Sequence, residues 1–158
     1  MLDEDVAGFI GGKVLMIAAT RDERLKAHVG RGCGARFDEA AGDVVLLASS
    51  TQWPAFAHYA EPGAPIAATF VDPESYRAYQ VKGRINRVAP SSPAECTRAR
   101  DYINTMLARM AELGVSRLQL SSVFADDTLI TIRFWPADLY LQTPGPGAGS
   151  PIRSGERR

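Results

Sequence analysis

Gly30, Gly32 and Gly34 recur at every second position of one alternating stretch, with His28 before them and Arg36 after. Side chains of an extended strand alternate between faces, so a period of two places all five residues on one face. That face is a trough without side chains, set between an imidazole and a guanidinium, and a flat ring can lie against its backbone. The same spacing also suits a strongly twisted or bulged strand that makes room for a neighbouring strand. A second cluster, Ser49-Ser50-Thr51, stands where a strand ends and a short helix is about to begin. Hydroxyls and free N–H groups at such a junction suit a phosphate, and equally suit ordinary helix capping. Gln52 and Trp53 follow, and the indole can either stack on a ring or plug a pocket.

The elements that position these residues follow from hydrophobic periodicity. Leu2 to Ile10 reads as a short helix stopped by Gly11-Gly12, and Lys13 to Thr20 as an apolar strand buried on both faces. Leu25 to Asp38 alternates, with Leu25, Ala27, Val29, Cys33, Ala35 and Phe37 opposite the glycine face and Arg31 interrupting them. Val44 to Ser49 is a third strand, and Thr51 to Pro54 opens a short helix closed by Pro62-Gly63. Ile66 to Val71 and Arg77 to Val88 make a hairpin around Pro73. In its second arm Tyr79, Val81 and Ile85 face one way, and Gln80, Lys82, Arg84 and Asn86 the other. Gly83 falls on the apolar face, which marks a bulge or a close backbone approach.

Ser92-Pro93-Ala94-Glu95 is a capping box opening the longest helix, which runs to about Leu113. Its apolar stripe of Ala99, Ile103, Met106, Leu107, Met110 and Leu113 belongs to a core or dimer contact. A strand from Thr128 to Trp135 comes last, extended by Leu139-Tyr140-Leu141 beyond Pro136. These elements give a mainly β (α+β) fold, a split β-barrel of six to seven antiparallel strands with flanking helices. Residues 1–143 form the domain, and 144–158 read as a Pro/Gly-rich, then basic, flexible tail. An open barrel leaves apolar sheet to cover, so a homodimer is expected, with Tyr79, Val81 and the Met106/Met110 stripe as its contacts.

The 158 residues suit one core. Lys+Arg and Asp+Glu balance at 18 each, which leaves no global basic field for nucleic acid or an anionic membrane. No apolar run is long enough to span a bilayer, and the acidic start Leu2-Asp3-Glu4-Asp5 is unlike a secretory leader. A cytoplasmic location follows as the default expectation. Cys33 and Cys96 are spaced as two reduced thiols, although the glycines beside Cys33 leave room for a reactive one. His28 and His58 show no metal-ligand spacing.

The stretch Tyr76-Arg77-Ala78-Tyr79-Gln80-Val81-Lys82-Gly83-Arg84 and the closing Leu141-Gln142-Thr143-Pro144-Gly145-Pro146-Gly147-Ala148-Gly149 carry a resemblance. They resemble the pyridoxamine 5'-phosphate oxidase-like split barrels, mostly dimeric and mostly binding flavin mononucleotide (FMN), and the tail is similar to one uncharacterised branch. The resemblance implies FMN as cofactor, a second copy of the chain as partner and a small-molecule substrate. It implies the flavin ring along Ala27–Arg36 and its phosphate at Leu47–Thr51. The implied cofactor-binding residues are His28, Gly30, Gly32, Gly34, Arg36, Ser49, Ser50, Thr51, Gln52, Trp53, Lys82 and Arg84. Members of the superfamily place Lys or Arg just after the phosphate-binding hydroxyls, whereas Gln52 to His58 contains neither. Arg36, Lys82 or Arg84 must then neutralise the phosphate, with Arg36 favoured because it shares the glycine face. The alternative is a non-enzymatic split-barrel binding or interaction protein that has lost the flavin, with Trp53 filling the pocket.

Overall fold

A computed structural model of the protein describes residues 2–154. The chain order is α1 (Glu4–Ile10), β1 (Leu15–Arg21), β2 (Ala27–Asp38), β3 (Asp43–Ser49), α2 (Pro54–His58), β4 (Pro65–Val71), β5 (Ala78–Pro90), α3 (Pro93–Glu112), β6 (Leu129–Leu141) and β7 (Pro151–Ser154). All pairings are antiparallel, in the order β3-β2-β1-β4-β5-β6-β7. A β3–β6 ladder from Val44↔Phe134 to Ser49↔Leu129 closes the first six strands into a barrel. Its interior holds Met16, Ala18, Val44, Leu46, Phe70, Val81, Ile85, Ile132 and Phe134, and Val6 and Ile10 of α1 join the same core. Asp3 starts α1 by accepting the Val6 N–H at 2.8 Å. Ser92 and Glu95 form the complete capping box at the start of α3.

Gly83 is where the sequence reading and the structure meet most closely. The β5–β6 register shifts between Lys82 and Gly83, and a Cβ at Gly83 would lie 2.0 Å from the Trp135 carbonyl oxygen. The same irregularity lets Pro136, which has no N–H, pass opposite Gly83 without ending β6. One strand therefore runs where the sequence suggested two pieces.

Several expectations are corrected. Strand β1 is buried on one face only, and Ile17 on its other side is 38% exposed. Tyr79, Val81 and Met106 lie inside the protein, so they are core and not dimer contacts. The segment after Leu141 is not a loose tail through Ser154. The Gly149 N–H donates to Leu141 O at 2.7 Å, and β7 pairs with the free edge of β6. Backbone hydrogen bonds to an open edge order a stretch whose side chains bury little. The rest of the expected tail, 155–158, lies outside the described residues.

An Arg133-centred network locks the outer wall where β2, β3 and β6 meet. Its Nε and Nη2 donate to the two oxygens of Asp43 at 2.9 and 2.8 Å, and Nη2 also donates to Asp38 at 2.6 Å. Asn86 adds a bond to Asp43. The Arg133 guanidinium, helped by the Ala41 N–H, holds the Asp38 carboxyl down at about 2.

Two sets of variants test these contacts. Gly83→Ala is expected to destabilise the fold by about 2–3 kcal/mol, because the clash is with backbone that cannot step aside. Gly8→Ala, where no neighbour lies within 4 Å in a helix, should be neutral or stabilising. Urea unfolding of both variants measures this. The Asp38 carboxyl is depressed in the folded state, so its stabilising share is complete above the ordinary carboxylate pKa and is lost as pH falls from about 4 toward about 2. Asp38→Asn should flatten that part of the stability-against-pH curve.

Candidate functional site

A bulge in β2 decides which residues can form a site. From Gly32 to Ala35 the strand advances three residues while its partner β3 moves two, from Ala48 to Leu46. Gly34 takes up the irregularity at φ 153°, a backbone conformation that favours glycine. The extra residue reverses the facing of everything after it. Before the bulge Gly30 and Gly32 turn inward, and beyond it Ala35 and Phe37 pack on the core while Gly34 and Arg36 turn outward.

The inward glycines are not a bed for a ring. A Cβ at Gly30 would sit 2.7 Å from the Phe56 ring, and one at Gly32 would sit 2.7 Å from Leu46 Cδ1 and 3.0 Å from Met16 Cβ. These glycines exist so that the protein's own side chains can fill the barrel. His28 belongs to the same inward row. It meets Asp22 at 3.2 Å and stacks on Tyr59 with ring centroids 4.7 Å apart.

The open space lies on the other side of the bulge. The β1–β2 ladder stops at Ile17↔Arg31, and Leu15 and Met16 pair only with β4. The gap between the start of β1 and the end of β2 is roofed by α3 and bordered by the Gly11-Gly12-Lys13 link. It forms a cleft of about 650 Å³, within the range of small-molecule sites. Met16, Ala35, Val45 and Leu47 make its floor, and Lys13, Arg36, Arg98, Glu95 and Asp101 stand around it. Tyr102 is a wall. Its hydroxyl donates to Val14 O at 2.7 Å, and burial pushes its pKa up, so it stays a neutral donor. Glu95 is occupied by Ser92 N–H and Thr131 Oγ1; partial burial pushes its pKa up, but these bonds prevail and hold the carboxyl below its ordinary value.

Gly34 and Arg36 are the sequence candidates in this cleft. The other candidates are not brought together with them. Ser49 Oγ accepts the Gln52 N–H and donates to Asp127, Ser50 donates to Thr128 O, and the Gln52 amide donates to Ser122 O. Those polar groups are spent on the turn itself and on tying down the loop before β6. Thr51 is exposed, and Trp53 packs against the core at the start of α2, so it does not plug the cleft. A packed cluster of Cys33, Leu47, Ala99 and Leu129 fills the outer wall beside them. Lys82 and Arg84 lie on β5, separated from β2 by two strands in either direction round the barrel; Lys82 sits 4.5 Å over the Tyr140 ring and Arg84 donates to Gly63 O. Within one protomer they are not placed to share a ligand with Arg36.

Lys13, Arg98, Asp101 and Tyr102 were missed because no local motif marks them. They come from a link and a helix that meet only in the folded chain, and on α3 they read as an ordinary polar face. The Cys33 thiol is buried beneath α3 and pushed up to about 12 by that burial, which removes the reactive-thiol reading.

No protein-family model matches the chain, and no curated protein sequence matches it. Solved structures do. An F420 reductase superposes with a TM-score of 0.57 at 14% identity, covering 87% of this chain and 98% of the other. HutZ, a heme storage protein from Vibrio cholerae, gives 0.51 at 14% identity over 89% and 94%. A putative pyridoxamine 5'-phosphate oxidase from Lactobacillus delbrueckii gives 0.51 at 12% identity over 88% and 93%. At these identities the likeness shows the fold alone: the chain has the split β-barrel fold that these proteins share.

Proposed function

We propose that this chain binds a flavin, FMN, in the cleft between β2 and α3 and serves as a homodimeric flavin-dependent oxidoreductase. One observation carries the reading: a space of about 650 Å³ with apolar residues in its lining is bordered by three cations, Lys13, Arg36 and Arg98. Flat, amphipathic, anionic ligands need that combination. The resemblance of the hairpin and tail supports it, as does the presence of a reductase and a putative oxidase among proteins of the same fold. Trp53 does not fill the cleft, which removes one of the two supports for a barrel that has lost its ligand, the other being the missing cation after Thr51.

A bound flavin supplies the redox chemistry. The chain's own contribution is an apolar lining of Met16, Val45 and Leu47, a neutral Tyr102 wall and cations at the edge. Cys33, held as a thiol by burial, takes no part as a nucleophile.

The dimer surface is reassigned to the outer face of β1, β2 and β4. Val29, Ala19 and Ala67 form one row across these strands, and Arg31, Ile17 and Thr69 the next. Val29 is 54% exposed, so an apolar sheet face is left for a partner, and a second copy offers the same face in return.

Freshly purified protein is expected to show flavin absorbance, or to take up added FMN with a dissociation constant of roughly ten micromolar or tighter. Thr105→Trp, placed on the cleft side of α3, should weaken uptake at least about tenfold with the far-UV spectrum unchanged. Absence of flavin in the purified protein, together with no uptake at a hundred times that concentration, contradicts the assignment. Sedimentation equilibrium at micromolar concentration should give a dimer, and Ile17→Glu with Val29→Glu a folded monomer. A wild-type monomer overturns the dimer.

A further inference from the structure

The charges around the cleft are not equivalent, and their differences locate the ligand's anionic group. Arg36 is already engaged by Asp38, with its Nη1 3.3 Å from Asp38 Oδ2, and Glu95 lies close enough for the Arg36 charge to help hold its carboxyl down. Among the described residues Lys13, Arg98 and Asp101 have neither an ion pair nor a side-chain hydrogen bond. Lys13 arrives from the link into β1, and Arg98 from the second turn of α3, so two uncommitted cations border one opening from different elements. Asp101 stands one helical turn beyond Arg98 on the same helix and is the uncommitted opposing charge. The hydroxyls of the Ser49–Ser50 turn, in contrast, are consumed by Gln52, Asp127 and Thr128.

We propose that Lys13 and Arg98, and neither Arg36 nor the Ser49–Thr51 turn, form the phosphate-reading pair of the cleft, with Asp101 setting an upper limit on how much negative charge it accepts. The inference rests on the flavin reading above and adds to it the residues that separate a phosphorylated flavin from an unphosphorylated one. Lys13 is a mobile point charge and Arg98 a planar fork, which together suit a phosphate dianion held at a solvent-facing edge. Because both are exposed, each contact is screened by water and salt, and the preference is modest and salt-dependent.

The experiment titrates FMN and riboflavin, which differ by the phosphate, into the full chain and follows quenching of flavin fluorescence. The unmodified protein is expected to prefer FMN by roughly tenfold or more at low salt, and the preference should shrink as salt rises. Lys13→Ala and Arg98→Ala should each weaken FMN by roughly three- to tenfold, and the double variant should bind both flavins alike. Asp101→Asn should tighten FMN roughly two- to fivefold. Riboflavin should change little in all of them. Riboflavin and FMN binding with equal affinity to the unmodified protein overturns the phosphate pair while leaving the flavin cleft standing. The pair is equally overturned if the preference survives the double variant and is lost in Arg36→Ala or in Ser50→Ala with Thr51→Val. Failure of both flavins to bind overturns the cofactor reading itself, and this pair with it.

Discussion

The extra residue in β2 between Gly32 and Ala35 is the constraint on which the rest depends. Without it, the outer wall would carry Ala35 and Phe37, while Arg36 would point into a hydrophobic core. With it, the strand serves the barrel twice. Its first half gives glycines inward so that Phe56, Met16 and Leu46 can fill the centre, and its second half gives alanine and phenylalanine inward. The bulge also increases local twist, and it coincides with the point where the β1–β2 ladder ends. The cleft is the space that this parting leaves.

Two devices hold the parting open without loss of order. On one side Tyr102 ties α3 to the start of β1 through the Val14 carbonyl, so the roof of the cleft cannot slide. On the other side Arg133 joins Asp38 at the end of β2 to Asp43 at the start of β3. Asp43 is 3% exposed, and a buried carboxylate is tolerated there because Arg133 and Asn86 satisfy it. The network belongs to the barrel seam, and its Asp38 also pairs with Arg36 at 3.3 Å.

Much of the fold was legible from alternation and turn chemistry. The places of β1 to β5, the Ser92 capping box and the Gly83 irregularity each follow from a local rule that the structure obeys. The candidate site was legible only as far as the strand that borders it. A strict period of two carried His28, Gly30, Gly32, Gly34 and Arg36 onto one face, and a single bulged residue divided them. Nothing in the side-chain pattern shows where a bulge falls, since Gly32-Cys33-Gly34 permits it without requiring it. The Ser49–Thr51 junction was read correctly as a strand-to-helix turn, but bonds within the turn and to the loop before β6 occupy the Ser49 and Ser50 hydroxyls that a phosphate would need. Lys13 and Arg98 were invisible for a different reason: they are 85 positions apart by their numbering and share only a place in space. β7 was missed because edge pairing depends on backbone and leaves little mark on side-chain hydrophobicity.

The central claim is a flavin lying outside the barrel wall beside the bulge, in the cleft bordered by the Gly11–Lys13 link, the end of β2 and α3. A crystal structure of the full chain grown with FMN tests this most directly. The expected result is ring density in that cleft, beside Lys13, Arg36 and Arg98, with the barrel interior still filled by Phe56, Met16 and Leu46. Flavin density confined to the Ser49–Trp53 turn or to the β5 face, with the cleft occupied by solvent alone, would contradict it.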